Sequence, residues 1–141
     1  MTEPAKKLPD TNTILRYLLG DVPLLSSKAS AFFEKVRVGK EKVIILESVL
    51  AECVYVLIKF YKVPKAEVAE KLKGLLLYKG VANEDKKDLV EALNIFSGQG
   101  IDIVDCILCA KTRNHNIHLF SFDGKLLKLC QTSLKNPSVS P

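Results

Sequence analysis

The sequence predicts an α/β fold in which a short, mostly parallel central sheet is flanked by helices. Short apolar runs rich in β-branched residues alternate with longer segments of helical periodicity, which is typical of parallel βαβ units. The 141 residues, 48% hydrophobic and 26% charged, have the size and composition of one globular domain. We therefore expect a single domain over residues 1–134. A flexible tail rich in Ser and Pro is expected over residues 135–141.

Helices are predicted where apolar residues recur at helical spacing between Ser, Pro and Gly boundary signals. The predicted helices of the first half cover residues 12–19, 26–38, 48–61 and 64–78. Ser26 or Ser27 is the expected N-cap of the second helix, and Ser48 that of the third. A buried strand is predicted over residues 42–47, and a weaker one over residues 80–83.

The second half continues the alternation of helix and strand. Its predicted helices cover residues 85–96, 102–113 and 124–130, and its predicted strand covers residues 117–122. The longest stretch without a charged residue is only ten residues long, at 92–101. A membrane span needs about 20 mostly apolar residues, so we expect no membrane association.

The cysteines favour an intracellular protein. All four lie in apolar, helix-like segments, at Cys53, Cys106, Cys109 and Cys130, where an unpaired cysteine behaves as a small hydrophobic residue. The Cys106-x-x-Cys109 spacing matches half of a zinc or redox site, but no second ligand pair follows at a suitable spacing. We expect four buried, unpaired thiols.

Acidic residues lie where ligands of a parallel sheet gather, at the carboxyl ends of strands. Asp10 follows the first candidate strand and Asp123 follows the last one, although each position also suits an ordinary helix N-cap. Asp102 and Asp105 begin a helix that is otherwise apolar nearly all round, which predicts that the helix is buried.

Glu52 is predicted to face the core. It lies three residues after Val49 and four before Val56, and so on the same side of its helix as these apolar residues. A buried carboxylate needs a cation. The candidates are a structural salt bridge with Lys59 or Arg16, or a metal ion.

Together these acids predict one pocket lined by carboxylates, without His or Cys at its centre. Carboxylate oxygens are ligands that suit Mg²⁺ or Mn²⁺, and such sites support phosphoryl and phosphodiester chemistry. No Gly-rich phosphate loop is present. Asn12 stands where phosphatases with an aspartate nucleophile would have a second Asp, which disfavours that mechanism. The net charge of +5 is a weak indication of a polyanionic partner.

Four motifs in order make the chain resemble the PIN-domain family, in particular its VapC-type toxin ribonucleases. The motifs are Asp10-Thr-Asn-Thr-Ile-Leu-Arg, Val49-Leu-Ala-Glu52, Ile101-Asp-Ile-Val-Asp105 and Ser121-Phe-Asp123-Gly. Residues 5–9, Ala-Lys-Lys-Leu-Pro, depart from the long apolar first strand of the family, because proline cannot donate to a strand ladder. The resemblance implies a PIN-like three-layer α/β/α fold.

The resemblance also implies a function and a set of site residues. It implies a metal-dependent endoribonuclease that cuts single-stranded or loop RNA with one or two Mg²⁺ or Mn²⁺ ions. The implied catalytic acids are Asp10, Glu52, Asp105 and Asp123; Asp102 is an accessory metal ligand, and Asn12 and Ser121 support the first and last aspartates.

Cations near these motifs are the candidates for RNA binding: Arg16, Lys59, Lys111, Arg113 and Lys125. The resemblance further implies a cytoplasmic homodimer and a VapB-like protein antitoxin. The alternative is a catalytically inactive PIN-like scaffold that binds RNA or protein.

Overall fold

The computed structural model describes residues 3–134, with side chains through residue 131. The predicted tail at 135–141 lies outside the described residues. The chain divides into two compact units, one up to Lys86 and the other from Lys87 onward. No helix in the described part of the chain is long and apolar enough to cross a membrane.

Short parallel strands and longer helices make up the first unit, and helices make up the second. The elements of the first unit are β1 (Lys6–Lys7), α1 (Thr11–Leu19), α2 (Pro23–Arg37), β2 (Lys42–Val43), α3 (Glu47–Lys59) and α4 (Lys65–Leu76). Helix α5 (Lys86–Gly98) begins at the boundary, and α6 (Ile103–His115) and α7 (Gly124–Leu134) follow. The parallel strands are joined through helices, so the α/β prediction is confirmed.

The sheet is shorter than predicted. β1 and β2 pair in parallel with Lys6 opposite Lys42, and Val43 makes a further parallel bridge to Val81. The predicted strand over residues 42–47 ends at Val43 because a side chain replaces the next strand partner. Asn83 accepts a hydrogen bond from the Ile45 backbone N–H at 2.9 Å and donates one to the Ile45 carbonyl at 2.7 Å.

Gly80 allows the third segment to approach β2 and the end of α2. Its N–H donates to the Val36 carbonyl at 2.7 Å, and its own carbonyl accepts from Val43 at 2.9 Å. A Cβ atom at this position would lie 2.1 Å from the Glu41 carbonyl oxygen. Any side chain at residue 80 would therefore push apart the backbone that ends the sheet.

Two predicted helix starts are wrong by one to three residues. Helix α2 begins at Pro23, a residue whose fixed φ suits the first turn of a helix. Ser26 lies one turn inside α2, where its Oγ accepts a hydrogen bond from Val22 N–H at 3.3 Å. Helix α3 begins at Glu47, before the predicted cap Ser48, and Leu46 is its N-cap.

The predicted strand over residues 117–122 is not formed; no strand is assigned between α6 and α7. Phe120 and Phe122 are 86% and 95% exposed, and their ring centroids lie 5.5 Å apart. Alternating hydrophobicity indicates that a segment can pair as a strand, but the pairing itself depends on a partner distant in sequence.

A disulfide bond joins α6 to α7. Cys109 and Cys130 are bonded to each other, and both are buried in a small apolar cluster with Leu126. Cys53 and Cys106 are buried and belong to no disulfide bond within the described residues. The prediction of four unpaired thiols is thus wrong for one pair. The cause is tertiary, because the two bonded cysteines lie 21 residues apart in sequence.

Reduction of this disulfide should lower the free energy of unfolding by about 3 kcal/mol, because the bond closes a loop of roughly 20 residues in the unfolded chain. Urea unfolding with and without dithiothreitol measures the difference. In the Cys130→Ser control, dithiothreitol should cause no further loss. Titration of four free thiols in the unfolded, unreduced parent would contradict the bond.

Candidate active site

Asp10 is the N-cap of α1 in the first unit. Its Oδ1 accepts a hydrogen bond from the Thr13 backbone N–H at 2.8 Å and another from Thr13 Oγ1 at 2.7 Å. The Thr13 hydroxyl, and then its backbone N–H, lower the pKa of Asp10 below the usual value. Asp10 is therefore held ionised and in a fixed orientation. The hydrogen-bond donor to its side chain is Thr13, whereas the predicted supporting residue Asn12 is exposed.

Glu52 is exposed on α3, so the prediction that it faces the core is wrong. The buried residues of α3 are Leu50, Cys53, Val54 and Leu57, which places Glu52 at the edge of the apolar face. Its Oε1 accepts a hydrogen bond from the hydroxyl of Thr11, the buried first residue of α1. This contact ties the Glu52 carboxylate to the helix that begins at Asp10.

Asp10 and Glu52 line one cavity of about 390 Å³. The other lining residues are Thr11, Asn12, Leu15, Arg16, Val49, Val56 and Tyr61. Next to Glu52 on α3, burial, followed by the negative charges of Glu52 and Asp10, raises the pKa of Cys53 to about 12. The two carboxylates thus make this side of the first unit electronegative.

The salt bridge considered for Glu52 is not formed in the described structure. Arg16 pairs with Asp21, with 3.3 Å between Nη1 and Oδ1, and Lys59 lies 6.0 Å from the centroid of the Tyr55 ring. Within residues 3–134, no Lys, Arg or His nitrogen lies within 4.0 Å of the Asp10 or Glu52 carboxylate. The cavity therefore contains two carboxylates without a cationic partner.

Three more of the predicted acids lie close together in the second unit. Asp102 is the exposed N-cap of α6, and Asp105 lies half-buried in its first turn. Burial raises the pKa of Asp105, and the charges of Asp102 and then Asp123 raise it further. The structure thus brings these three carboxylates near enough to repel one another. The helix itself is not buried all round as predicted, because Val104 is 55% exposed.

Asp123 begins α7 in the same way as Asp10 begins α1. Its Oδ1 accepts hydrogen bonds from the backbone N–H groups of Lys125 at 3.0 Å and Leu126 at 3.1 Å. Ser121 Oγ accepts a hydrogen bond from the backbone N–H of Asp123 at 3.0 Å. These contacts fix one oxygen of the exposed Asp123 carboxylate at the N-terminus of α7.

The five candidate RNA-binding cations have different surroundings. Lys59 and Lys125 are exposed, whereas Arg16 lines the cavity with Asp10 and Glu52. Lys111 Nζ lies 3.5 Å from Asp88, and Arg113 Nη1 lies 3.0 Å from Glu91. These last two cations are thus engaged in contacts between α5 and α6.

The sequence reasoning missed Thr11, Thr13 and Asp88. The two threonines hold the Glu52 and Asp10 carboxylates, and their positions one and three residues after an N-cap aspartate were an available signal. Asp88 is a buried carboxylate that accepts hydrogen bonds from Asn114 and His115. No local pattern marks it, since its partners lie 26 and 27 residues away.

Comparison with protein families gives a match to the model of the PIN domain over residues 7–131. The chain belongs to the PIN domain family. The match includes all the predicted acids and confirms the PIN-like fold class. Among the described residues, no three or more His, Cys, Asp or Glu side chains are grouped so that they could hold a metal ion.

The PIN domain is similar to a curated protein. It is 28% identical over 124 residues to the VapC ribonuclease of Aquifex aeolicus (strain VF5), an alignment that covers 87% of this chain and 91% of the relative. No solved structure matches significantly.

Proposed function

We propose that this PIN domain is a metal-dependent endoribonuclease that cleaves single-stranded or loop RNA. One observation carries the proposal: Asp10 and Glu52 share a cavity and have no cationic partner among the described residues. Two carboxylates that line one cavity without a cationic partner are typical of a site that binds a cation. The family membership and the similarity to a VapC ribonuclease support RNA as the substrate.

The donor set fits a divalent metal ion. Each of the acids offers carboxylate oxygens, which are the ligands of Mg²⁺ and Mn²⁺. The residues that would hold the one or two ions are Asp10, Glu52, Asp102, Asp105 and Asp123. When bound, such an ion activates water and stabilises negative charge on the phosphodiester.

The side chains around these acids keep the carboxylates ionised and oriented. Thr13 and Thr11 donate to Asp10 and Glu52, while the N-terminus of α7 fixes Asp123. Each of these contacts satisfies one oxygen only, so the second oxygen of each carboxylate stays available for a ligand. Asn12 and Ser121 are assigned supporting roles beside Asp10 and Asp123, and the exposed Lys59 and Lys125 supply positive charge for the RNA backbone.

The proposed biological role is that of the toxin in a VapBC-type toxin–antitoxin pair. It includes a VapB-like protein antitoxin, a homodimer and a cytoplasmic location. The support for this role is the similarity to the VapC ribonuclease. The Cys109–Cys130 disulfide argues against a strongly reducing compartment. The proposed cytoplasmic location is therefore supported by the proposed toxin role alone.

An RNA cleavage assay with metal removed and restored tests the nuclease. Purified protein should cut a labelled RNA that contains single-stranded and loop regions in Mg²⁺ or Mn²⁺. EDTA should abolish the cleavage, and excess Mn²⁺ should restore it. Cleavage at the same rate in EDTA would refute metal dependence. The absence of cleavage in either metal would refute the nuclease.

The scaffold that binds without cutting is favoured by one observation, namely the lack of a preformed metal cluster within the described residues. Calorimetric titration with Mn²⁺ separates the two functions. The nuclease should bind Mn²⁺ with a stoichiometry of one or two, and Glu52→Gln should weaken that binding. A protein that binds RNA but neither Mn²⁺ nor Mg²⁺ would be the scaffold.

A further inference from the structure

Arg16 occupies an unusual position for an arginine. It lies on α1 and lines the same cavity as Asp10 and Glu52, with only 17% of its side chain exposed. Arginine buried beside carboxylates usually pairs with them. In this cavity it does not, and its guanidinium group is held instead by two residues outside the acid pair.

The two residues that hold Arg16 are Tyr61 and Asp21. Arg16 Nη2 donates to the Tyr61 hydroxyl at 2.9 Å, and Nη1 lies 3.3 Å from Asp21 Oδ1. The Arg16 Nε–H is buried and has no hydrogen-bond partner within the described residues. A guanidinium group carries five N–H donors, so this arrangement uses two of them and leaves the others without an acceptor among the described residues.

These contacts give the cavity positive and negative sides. Tyr61 is neutral and Asp21 is partly exposed to water, so the charge of Arg16 is only partly compensated. The charge of Arg16 would weaken the attraction of Asp10 and Glu52 for a bound cation, and an anion that entered with the cation would offset this effect. A phosphate oxygen is such an anion, and the planar fork of arginine matches phosphate geometry.

We propose that Arg16 binds a backbone phosphate of the RNA in this cavity, and that Tyr61 and Asp21 are positioning residues that keep its guanidinium group away from Asp10 and Glu52. The proposal rests on the nuclease function above and names the group that contacts the substrate. It also gives Asp21, which follows the end of α1, a role in holding the site.

Binding is the decisive measurement because it does not depend on turnover. Anisotropy of a labelled single-stranded RNA oligonucleotide is measured in Mg²⁺ with the Asp105→Asn protein, which should hold the RNA uncut. Addition of Arg16→Lys, which keeps the charge but loses the planar fork, should weaken binding about tenfold. Addition of Arg16→Gln, which removes the charge, should also reduce the slope of log affinity against log salt by about one. The matched control is Arg37→Lys on α2, whose side chain is exposed and paired with Glu34; this control should leave binding unchanged.

Tyr61→Phe separates positioning from mere structural support. By itself it should weaken RNA binding about threefold, and it should have no further effect when Arg16 is already Lys. With Asp105 intact, Mn²⁺ affinity should stay within about twofold in Arg16→Lys, Tyr61→Phe and Asp21→Asn, because none of these three residues is a metal ligand. Thermal unfolding confirms that each variant is folded. If Arg16→Lys unfolds, Tyr61→Phe and Asp21→Asn carry the test.

The outcomes distinguish this proposal from the nuclease itself. If the parent protein does not cut RNA but Arg16→Lys still weakens RNA binding, the nuclease is wrong and the phosphate contact stands. If Arg16→Lys and Arg16→Gln both bind RNA as the parent does, and Arg16→Gln keeps the parental salt slope, the phosphate contact is wrong whether or not the parent cuts. If Tyr61→Phe and Asp21→Asn both leave binding and kcat/KM unchanged, the positioning roles are wrong.

Discussion

The Asp105→Asn protein is expected to lose RNA cleavage by about a hundredfold or more while it remains fully folded. The substitution keeps the size of the side chain and removes the charge that a metal ion would need. Burial and the charges of Asp102 and Asp123 already disfavour the ionised Asp105 side chain. The neutral amide should therefore leave the thermal unfolding midpoint unchanged or slightly higher, and paired cleavage and unfolding measurements check both parts.

A carboxylate outside the site provides the control. Glu70→Gln removes the same charge from an exposed position on α4 and should leave cleavage unchanged. Purification of both variants by the parent's procedure also excludes a contaminating ribonuclease. Cleavage by Asp105→Asn at the parental rate would remove Asp105 from the proposed site.

Asp10→Asn tests the corresponding catalytic carboxylate in the first unit. Asparagine is as good an N-cap as aspartate, and its side-chain oxygen can keep both hydrogen bonds from Thr13. This variant therefore separates the structural role of Asp10 from its role as a charge. We expect helix α1 to remain intact and cleavage to be lost.

Local sequence signals were sufficient for much of this protein. Helical periodicity with Gly and Pro boundaries located the helices, and four short motifs identified the family. The elements that failed depend on partners distant in sequence. Residues 117–122 alternate as a strand does, yet no strand is assigned there, and Asn83 ends the pairing of β2 through its side chain.

Predictions for individual site residues failed in the same way. Glu52 was expected inside because of its spacing from Val49 and Val56, but α3 buries a neighbouring stripe that includes Leu50 and Leu57. A shift of one position around a helix moves a residue by 100°, so spacing alone does not separate the edge of an apolar face from its centre. The hydroxyl of Thr11 on Glu52 likewise depends on how α1 packs against α3.

Asp88 is expected to contribute more to stability than any exposed ion pair of the protein. Its side chain is 3% exposed and accepts hydrogen bonds of 2.7 Å from Asn114 and from His115 Nε2. Burial by itself would raise the pKa of Asp88, but the hydrogen bonds from Asn114 and His115 and the nearby charges of His115 and Lys111 outweigh it and lower the pKa. The carboxylate thereby ties α5 to the C-terminal end of the helix that carries Asp105.

Asp88→Asn should lower the free energy of unfolding at pH 7 by about 2 kcal/mol, since hydrogen bonds to a buried charge contribute about 1.5–3 kcal/mol. His115 and Lys111 are partly exposed, so solvent screening reduces the contribution of their charges to this stabilisation. Because the folded pKa lies below the ordinary 3.8, this contribution is fully present above that value and is lost as the pH falls through the folded pKa. Urea unfolding at a series of pH values should therefore show a gap between parent and variant at pH 5 to 7 that closes as the pH falls below 4. The control is Glu34→Gln, at the exposed pair with Arg37, which should show almost no gap at any pH. A gap for Asp88→Asn that persists at pH 2 would mean that packing around Asp88, rather than its charge, stabilises the fold.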